Sequence, residues 1–114
     1  MEEKIKRMIE KNPLAFATID KSGKPYVIAV ADVKIISEDR ILIGDNYMGK
    51  TLENLKNSPN VSLAVWDKNE KGYKIQGTAE YFSDGEWVEK VKEIHKGYPA
   101  KGAIVIEINE LRMC

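Results

Sequence analysis

Residues 41–82 read ILIGDNYMGKTLENLKNSPNVSLAVWDKNEKGYKIQGTAEYF, and the fold turns on how the two halves of this stretch are joined. The first half carries Gly44, four free positions and then Gly49-Lys50-Thr51. That satisfies G-x-x-x-x-G-K-[ST], the phosphate-cradling loop of many ATPases and GTPases. An apolar run, Ile41-Leu42-Ile43, precedes it, and Leu52 and Leu55 at i, i+3 predict a helix over Thr51 to Asn57 after it. Such a loop belongs to a parallel sheet with helices on both faces. The second half contradicts that setting. Val61 to Asp67 is a strand, but the polar turn Lys68 to Gly72 leads directly into another, Tyr73 to Phe82. Parallel neighbours would need a crossover of about a dozen residues. Tyr47 and Met48 also add bulk where a wrapping loop favours small residues. The nucleotide triphosphatase reading is set aside.

Working outward, the remaining segments repeat the hairpin logic. Ile5, Met8 and Ile9 mark a short amphipathic helix over residues 2–11, which Asn12-Pro13 stops. Leu14 to Asp20 is a strand ended by the loop Lys21-Ser22-Gly23-Lys24, and Pro25 to Ile36 is one long β-rich run. Ser37 to Arg40 makes the next turn, and Ile41 to Gly44 is the third strand. Gly77, inside the fifth strand, marks a bend or bulge where a sheet curls. Ser83 to Glu86 starts a last helix with Trp87, Val88, Val91 and Ile94 on its apolar stripe. Gly97-Tyr98-Pro99 breaks it, and Ala103 to Ile108 is the last strand. The expected fold is mostly β: six strands in a small antiparallel barrel with short helices, in the order α-β-β-β-α-β-β-α-β.

The chain of 114 residues, 43% hydrophobic and 32% charged, suits a single globular domain over residues 1–114. Eighteen basic residues balance eighteen acidic ones, which points to neither a nucleic-acid nor a membrane partner and weakly favours self-association. The single cysteine, Cys114, forms no internal disulfide, and no Cys/His spacing resembles a metal site. No apolar stretch has transmembrane length, and the acidic start does not resemble a signal peptide, so a cytoplasmic location is expected.

Gly49-Lys50-Thr51 keeps a local meaning without the ATPase fold. The free N–H groups and positive dipole end at a helix start attract an anion, yet Lys50 sits where that dipole disfavours a cation. A shared phosphate reconciles the two. Thr51 as a plain N-cap, with Lys50 solvated and offset by Glu53, is the bland alternative, and the residues alone favour it.

The longer pattern adds to this. MGKTLENLKNSPNVSLAVWD followed by YKIQGTAEYF resembles the FMN-binding split barrels related to pyridoxamine 5′-phosphate oxidase. A lysine opening a helix, then "NL…NP-x-V-S-L" and "x-I-x-G-x-A", are matched by Lys50, Leu55, Pro59, Val61, Ser62, Leu63, Gly77 and Ala79. LAFATIDKSGKPYVIAV resembles the opening hairpin of that family and AIVIEI its closing strand, so the likeness spans roughly residues 12–110. In length and layout it is nearest the small FMN-binding proteins of the group. Gly49 stands where an arginine often precedes the lysine in the oxidase, and the oxidase's C-terminal substrate segment is missing. Both departures argue against pyridoxamine phosphate as substrate.

The resemblance implies a six-stranded split barrel binding FMN at a homodimer interface. Lys50 and Thr51, beside Gly49, would hold the phosphate. Ile28, Ala29, Val30 and Ala31 would run beside the ring, Gly44, Asp45 and Asn46 would line the ring or ribityl chain, and Gln76 is a further, weaker candidate. Tyr47, in the same loop, reads equally as a cover for the ring or as a surface loop residue. A flavin-dependent oxidoreductase with a small-molecule substrate or electron donor is the leading expectation. A non-enzymatic carrier or electron-transfer protein, and a barrel holding deazaflavin or haem, are the alternatives. No catalytic residue is identified. His95 reads as a surface or edge residue, Trp66 and Trp87 as core or interface aromatics, and Cys114 as a terminal thiol without a role.

Overall fold

The aspartates that open two of the polar turns close them by the same device. The Asp20 carboxylate accepts the N–H of Ser22 (2.8 Å) and of Lys24 (3.0 Å). The Asp67 carboxylate accepts those of Asn69 (2.9 Å) and Lys71 (3.1 Å). A side-chain acceptor of this kind imitates a backbone turn and fixes the reversal. The computed structural model describes residues 1–31, 33–46, 48–69, 71–97 and 99–114. The elements are α1 (Glu3–Lys11), β1 (Leu14–Ile19), β2 (Pro25–Val30), β3 (Lys34–Ser37), β4 (Arg40–Asp45), α2 (Lys50–Asn57), β5 (Asn60–Trp66), β6 (Gly72–Phe82), α3 (Glu86–Ile94) and β7 (Gly102–Met113). Among the described residues, no helix is long and apolar enough to cross a membrane.

The strands form one seven-stranded antiparallel sheet in the order β2-β1-β5-β6-β7-β4-β3. Its two edge strands, β2 and β3, are consecutive in sequence and joined only by residues 31–33. Four Cα steps reach at most about 14 Å. The edges of a flat sheet of this size would lie about 29 Å apart. The sheet therefore rolls until its edges meet at that corner, which makes it a barrel. Its interior takes side chains from every strand, among them Phe16, Val30, Ile35, Ile43, Leu63, Ile75 and Ile104, with Ile5 and Ile9 of α1 closing one end. Burying each side chain of this size contributes roughly 1.5–3 kcal/mol.

A second cluster lies outside the barrel, where Val88 and Val91 of α3 cover Leu42 and Ala103. β4 is thus covered on both faces. This is why Ile41-Leu42-Ile43 is apolar without alternation. Gly44 lets the helix settle, because a Cβ there would lie 2.8 Å from Val91 Cγ1.

Seven strands replace the expected six. The run Pro25 to Ile36 divides after Val30, and parity gives the reason. Val30 and Val33 both face the barrel core, but in a regular strand residues three apart point to opposite faces. β7 also continues to Met113, beyond the expected end at Ile108. Its pairing with β6 shifts register between Gln76↔Glu110 and Gly77↔Ile108. The extra residue, Asn109, returns Leu111 to the core side beside Ile108. On α2 the buried positions are Thr51 and Asn54, while Leu52 and Leu55 are half-buried. Asn54 tolerates burial because its Nδ2 donates to Thr18 Oγ1 of β1 at 3.0 Å.

The expected glycine bend at residue 77 coincides with the register shift. A Cβ on Gly77 would lie 2.6 Å from the Glu107 carbonyl oxygen and 2.8 Å from Ile106 Cγ2. Gly77→Ala is expected to cost about 1–3 kcal/mol in urea unfolding. Gly49→Ala, whose Cβ meets nothing within 4 Å, serves as the comparison. Equal stability of the two variants would contradict this account of the bulge.

Candidate functional site

At the end of β4 the chain leaves the sheet around the carboxylate of Asp45, which is fully buried. Oδ1 accepts the Met48 N–H at 2.8 Å and Oδ2 accepts the Tyr81 hydroxyl at 2.7 Å. The Asp45 carbonyl also accepts the Lys101 N–H at 2.8 Å. One residue thus ties β4 to the loop before α2, to β6 and to the segment entering β7. Gly102, paired with Asp45 in the sheet, makes the contact possible, since a Cβ there would collide with the Tyr81 hydroxyl. The phenol is pushed up from 10.0 to about 12, first by burial, then by its hydrogen bond to Asp45 and by that carboxylate's charge.

The loop anchored in this way forms one wall of a cleft of about 260 Å³. Ile28, Ala29, Val30 and Ala31 supply the other wall, with Gly44, Asn46 and Met48 opposite. β2 pairs only with β1, so the other edge of its backbone is open for hydrogen bonding. Asn46 Oδ1 is shielded from solvent and accepts no hydrogen bond from the described residues. A buried acceptor in that state costs about 1–3 kcal/mol until a donor reaches it.

α2 begins just beyond Met48. Gly49 is its N-cap, in a right-handed helical conformation, and no side chain caps the first turn. Its leading N–H groups are therefore available to an anion. Lys50 is exposed. The bond from Asn54 to Thr18 seats the helix on β1.

Six expected site residues thus meet around one cleft: Ile28, Ala29, Val30, Ala31, Gly44 and Asn46. Gly49 and Lys50 follow at the start of α2. Asp45 does not line the cleft with its side chain, because both of its oxygens are engaged internally. Thr51 is only 2% exposed, so its hydroxyl does not stand open to solvent at the helix start. Gln76 lies elsewhere, beside Thr18, Asn60 and Ser62, where it accepts the Ser62 hydroxyl at 2.8 Å. Tyr47 lies outside the described residues.

Sequence reading missed Met48 in the cleft and the pair of Asp45 with Tyr81, thirty-six residues apart; no local pattern could join them. His95, expected at a surface or edge, is half-buried at the end of α3. Its Cδ2 lies 3.5 Å from where a Gly44 Cβ would be. Trp66 is 57% exposed, which removes it from the core, whereas Trp87 packs half-buried under α3. Cys114 is exposed.

A rolled antiparallel sheet of seven strands, with a cleft between an edge strand and the loop that precedes a helix, defines a split-barrel protein. Residues 1–114 match the family described as pyridoxamine 5′-phosphate oxidase, and the chain belongs to that family. An uncharacterised protein of Methanocaldococcus jannaschii is 34% identical over 96% of this chain and 77% of its own length. The crystal structure of HupZ from Group A Streptococcus superposes with a TM-score of 0.89 at 22% identity, covering 99% of this chain and 93% of that one. That of an FMN-binding protein from Syntrophomonas wolfei gives 0.86 at 20% identity, covering 97% and 84%. These two structures share the fold.

The Tyr81 contact sets a pH signature. Its folded-state value lies above its ordinary one, so folding favours the neutral phenol. That stabilisation is complete below about pH 10 and is lost as pH rises towards about 12. Alkaline absorbance titration of the protein, with Tyr81→Phe subtracted, should place Tyr81 near 12. Asp45→Asn should bring it lower yet leave it above 10, because burial remains. Titration of Tyr81 at its ordinary value in the parent protein would contradict the contact.

Proposed function

We propose that two copies of this chain bind FMN at their interface and use it in flavin-dependent redox chemistry. The observation that carries the reading is that strand β2 and the Asp45-anchored loop form one cleft, and that α2 begins two residues after Met48 at its wall. The open edge of β2 would hydrogen-bond the polar rim of a planar heterocycle, and the Asn46 amide would find there the partner it lacks. Lys50 and the uncapped N–H groups of α2 would hold a terminal phosphate, combining a point charge with a helix dipole. The residues present therefore fit a flavin mononucleotide. When bound, FMN supplies the electron-transfer capacity; the chain supplies anchoring, orientation and a largely apolar wall.

Size and exposure support a second copy. The cleft, about 260 Å³, is smaller than the roughly 300–1,000 Å³ of pockets that enclose a ligand alone. β2 leaves Val27 61% and Tyr26 38% exposed beside it. An apolar edge strand in that state favours association. A partner laid over β2 would cover both the strand and the ligand.

One observation favours a second reading, a carrier or electron-transfer protein without an organic substrate. The described residues lining the cleft include no titratable side chain, so none is placed there to move a proton. Steady-state turnover of candidate acceptors with a nicotinamide donor separates that reading from an enzyme.

Lys50→Ala should weaken FMN binding by about tenfold or more, the weight of a charge-assisted phosphate contact. Riboflavin, which has no phosphate, should lose little. Equal losses for the two ligands in a fluorescence titration would remove Lys50 from the phosphate site.

A further inference from the structure

The charges of α1 are sorted by face. At 100° per residue, Lys4, Arg7 and Lys11 fall on one side of the helix with Met8, while Ile5 and Ile9 turn into the barrel. The basic side borders a cleft of about 370 Å³ between α1 and the β5–β6 turn, and Lys71 enters it from that turn. Four cations from two segments thus surround one opening in a chain whose formal net charge is +0.

Among the described residues, none of the four is neutralised by an ion pair. Glu10, next to Lys11 in sequence, is engaged elsewhere by Lys34 (3.7 Å) and by the Ile35 N–H (2.8 Å). Asp67 also borders the cleft and offsets one of the four charges, while its Oδ1 accepts the two N–H groups of its own turn, so cations outnumber anions four to one among the described lining residues. The floor is apolar, made by half-buried Met8 and the buried ring of Tyr73. Like charges gathered around a cleft repel one another, and an anion between them removes that cost. A floor of thioether and aromatic ring suits a flat organic body.

We propose that this cleft is a second ligand site, which takes a small organic phosphate with its anionic head among Lys4, Arg7, Lys11 and Lys71 and its planar body against Met8 and Tyr73. It shares no lining residue with the cleft along β2 and does not depend on that cleft's cofactor. Near-zero net charge and the single bounded cleft favour a small ligand over a nucleic-acid strand.

Calorimetric titration of the full chain with AMP, ADP and adenosine tests the proposal. Saturable binding of both nucleotides, tighter for ADP and weakened by salt, with none for adenosine, is expected. Arg7→Ala and Lys11→Ala, both at exposed positions, should each lower affinity about fivefold, the weight of an exposed charge pair. Their melting temperatures should stay at the parent's, and Lys50→Ala should leave binding unchanged. Four results would overturn the proposal: no saturable binding of either nucleotide; binding indifferent to Arg7 and Lys11; loss only in Lys50→Ala, which assigns the nucleotide to the β2 cleft; or single-stranded oligonucleotides binding ever more tightly with length.

Discussion

The carboxylate of Asp45 is the constraint on which the geometry of the cleft depends. A charge taken fully out of water is tolerated only where donors replace its hydration. Here a backbone N–H on one oxygen and a phenol on the other do so, each worth about 1.5–3 kcal/mol as a charged hydrogen bond. The price is geometric. Met48 must approach from the loop, Tyr81 from β6, and Gly102 must carry no side chain. Those requirements fix where β4 ends and where α2 begins. The start of α2 is therefore held close to the end of β4.

The cleft opposite is built from an edge strand, and its incompleteness carries functional weight. β2 exposes apolar side chains and open backbone at the place where the anchored loop leaves an unpartnered amide. On the proposed reading, a planar ligand would meet the polar edge and Asn46, and a second chain would cover Val27 and Tyr26. The same barrel carries a second charge feature at α1, where four cations and one carboxylate border a single cleft.

Much of the fold was legible because it is set locally. The aspartate turns, the helix stop at Asn12-Pro13 and the strand alternation each depend on residues a few positions apart, and Gly77 announced its bulge. The break after Val30 was also written in the parity of Val30 and Val33, although an unbroken β-rich run concealed it. The extension of β7 was hidden by the polar sequence Glu107 to Glu110, whose bulge interrupts alternation. Of the cleft, the strand and loop residues that line it were legible through the family pattern. The inward turn of Asp45 and the burial of Thr51 were not, because Tyr81, Gly102 and Thr18 act on this region from distant positions. The letters of GDNYMGKT suggested a nucleotide triphosphatase; the antiparallel sheet leaves them only a loop and a helix start.

The central claim is that this helix start and the β2 cleft together hold FMN. Titration of the purified chain with FMN, followed by visible absorption, tests it most directly. The account predicts shifted flavin bands that saturate at one FMN per chain. Bands that stay those of free FMN at every protein concentration would contradict it.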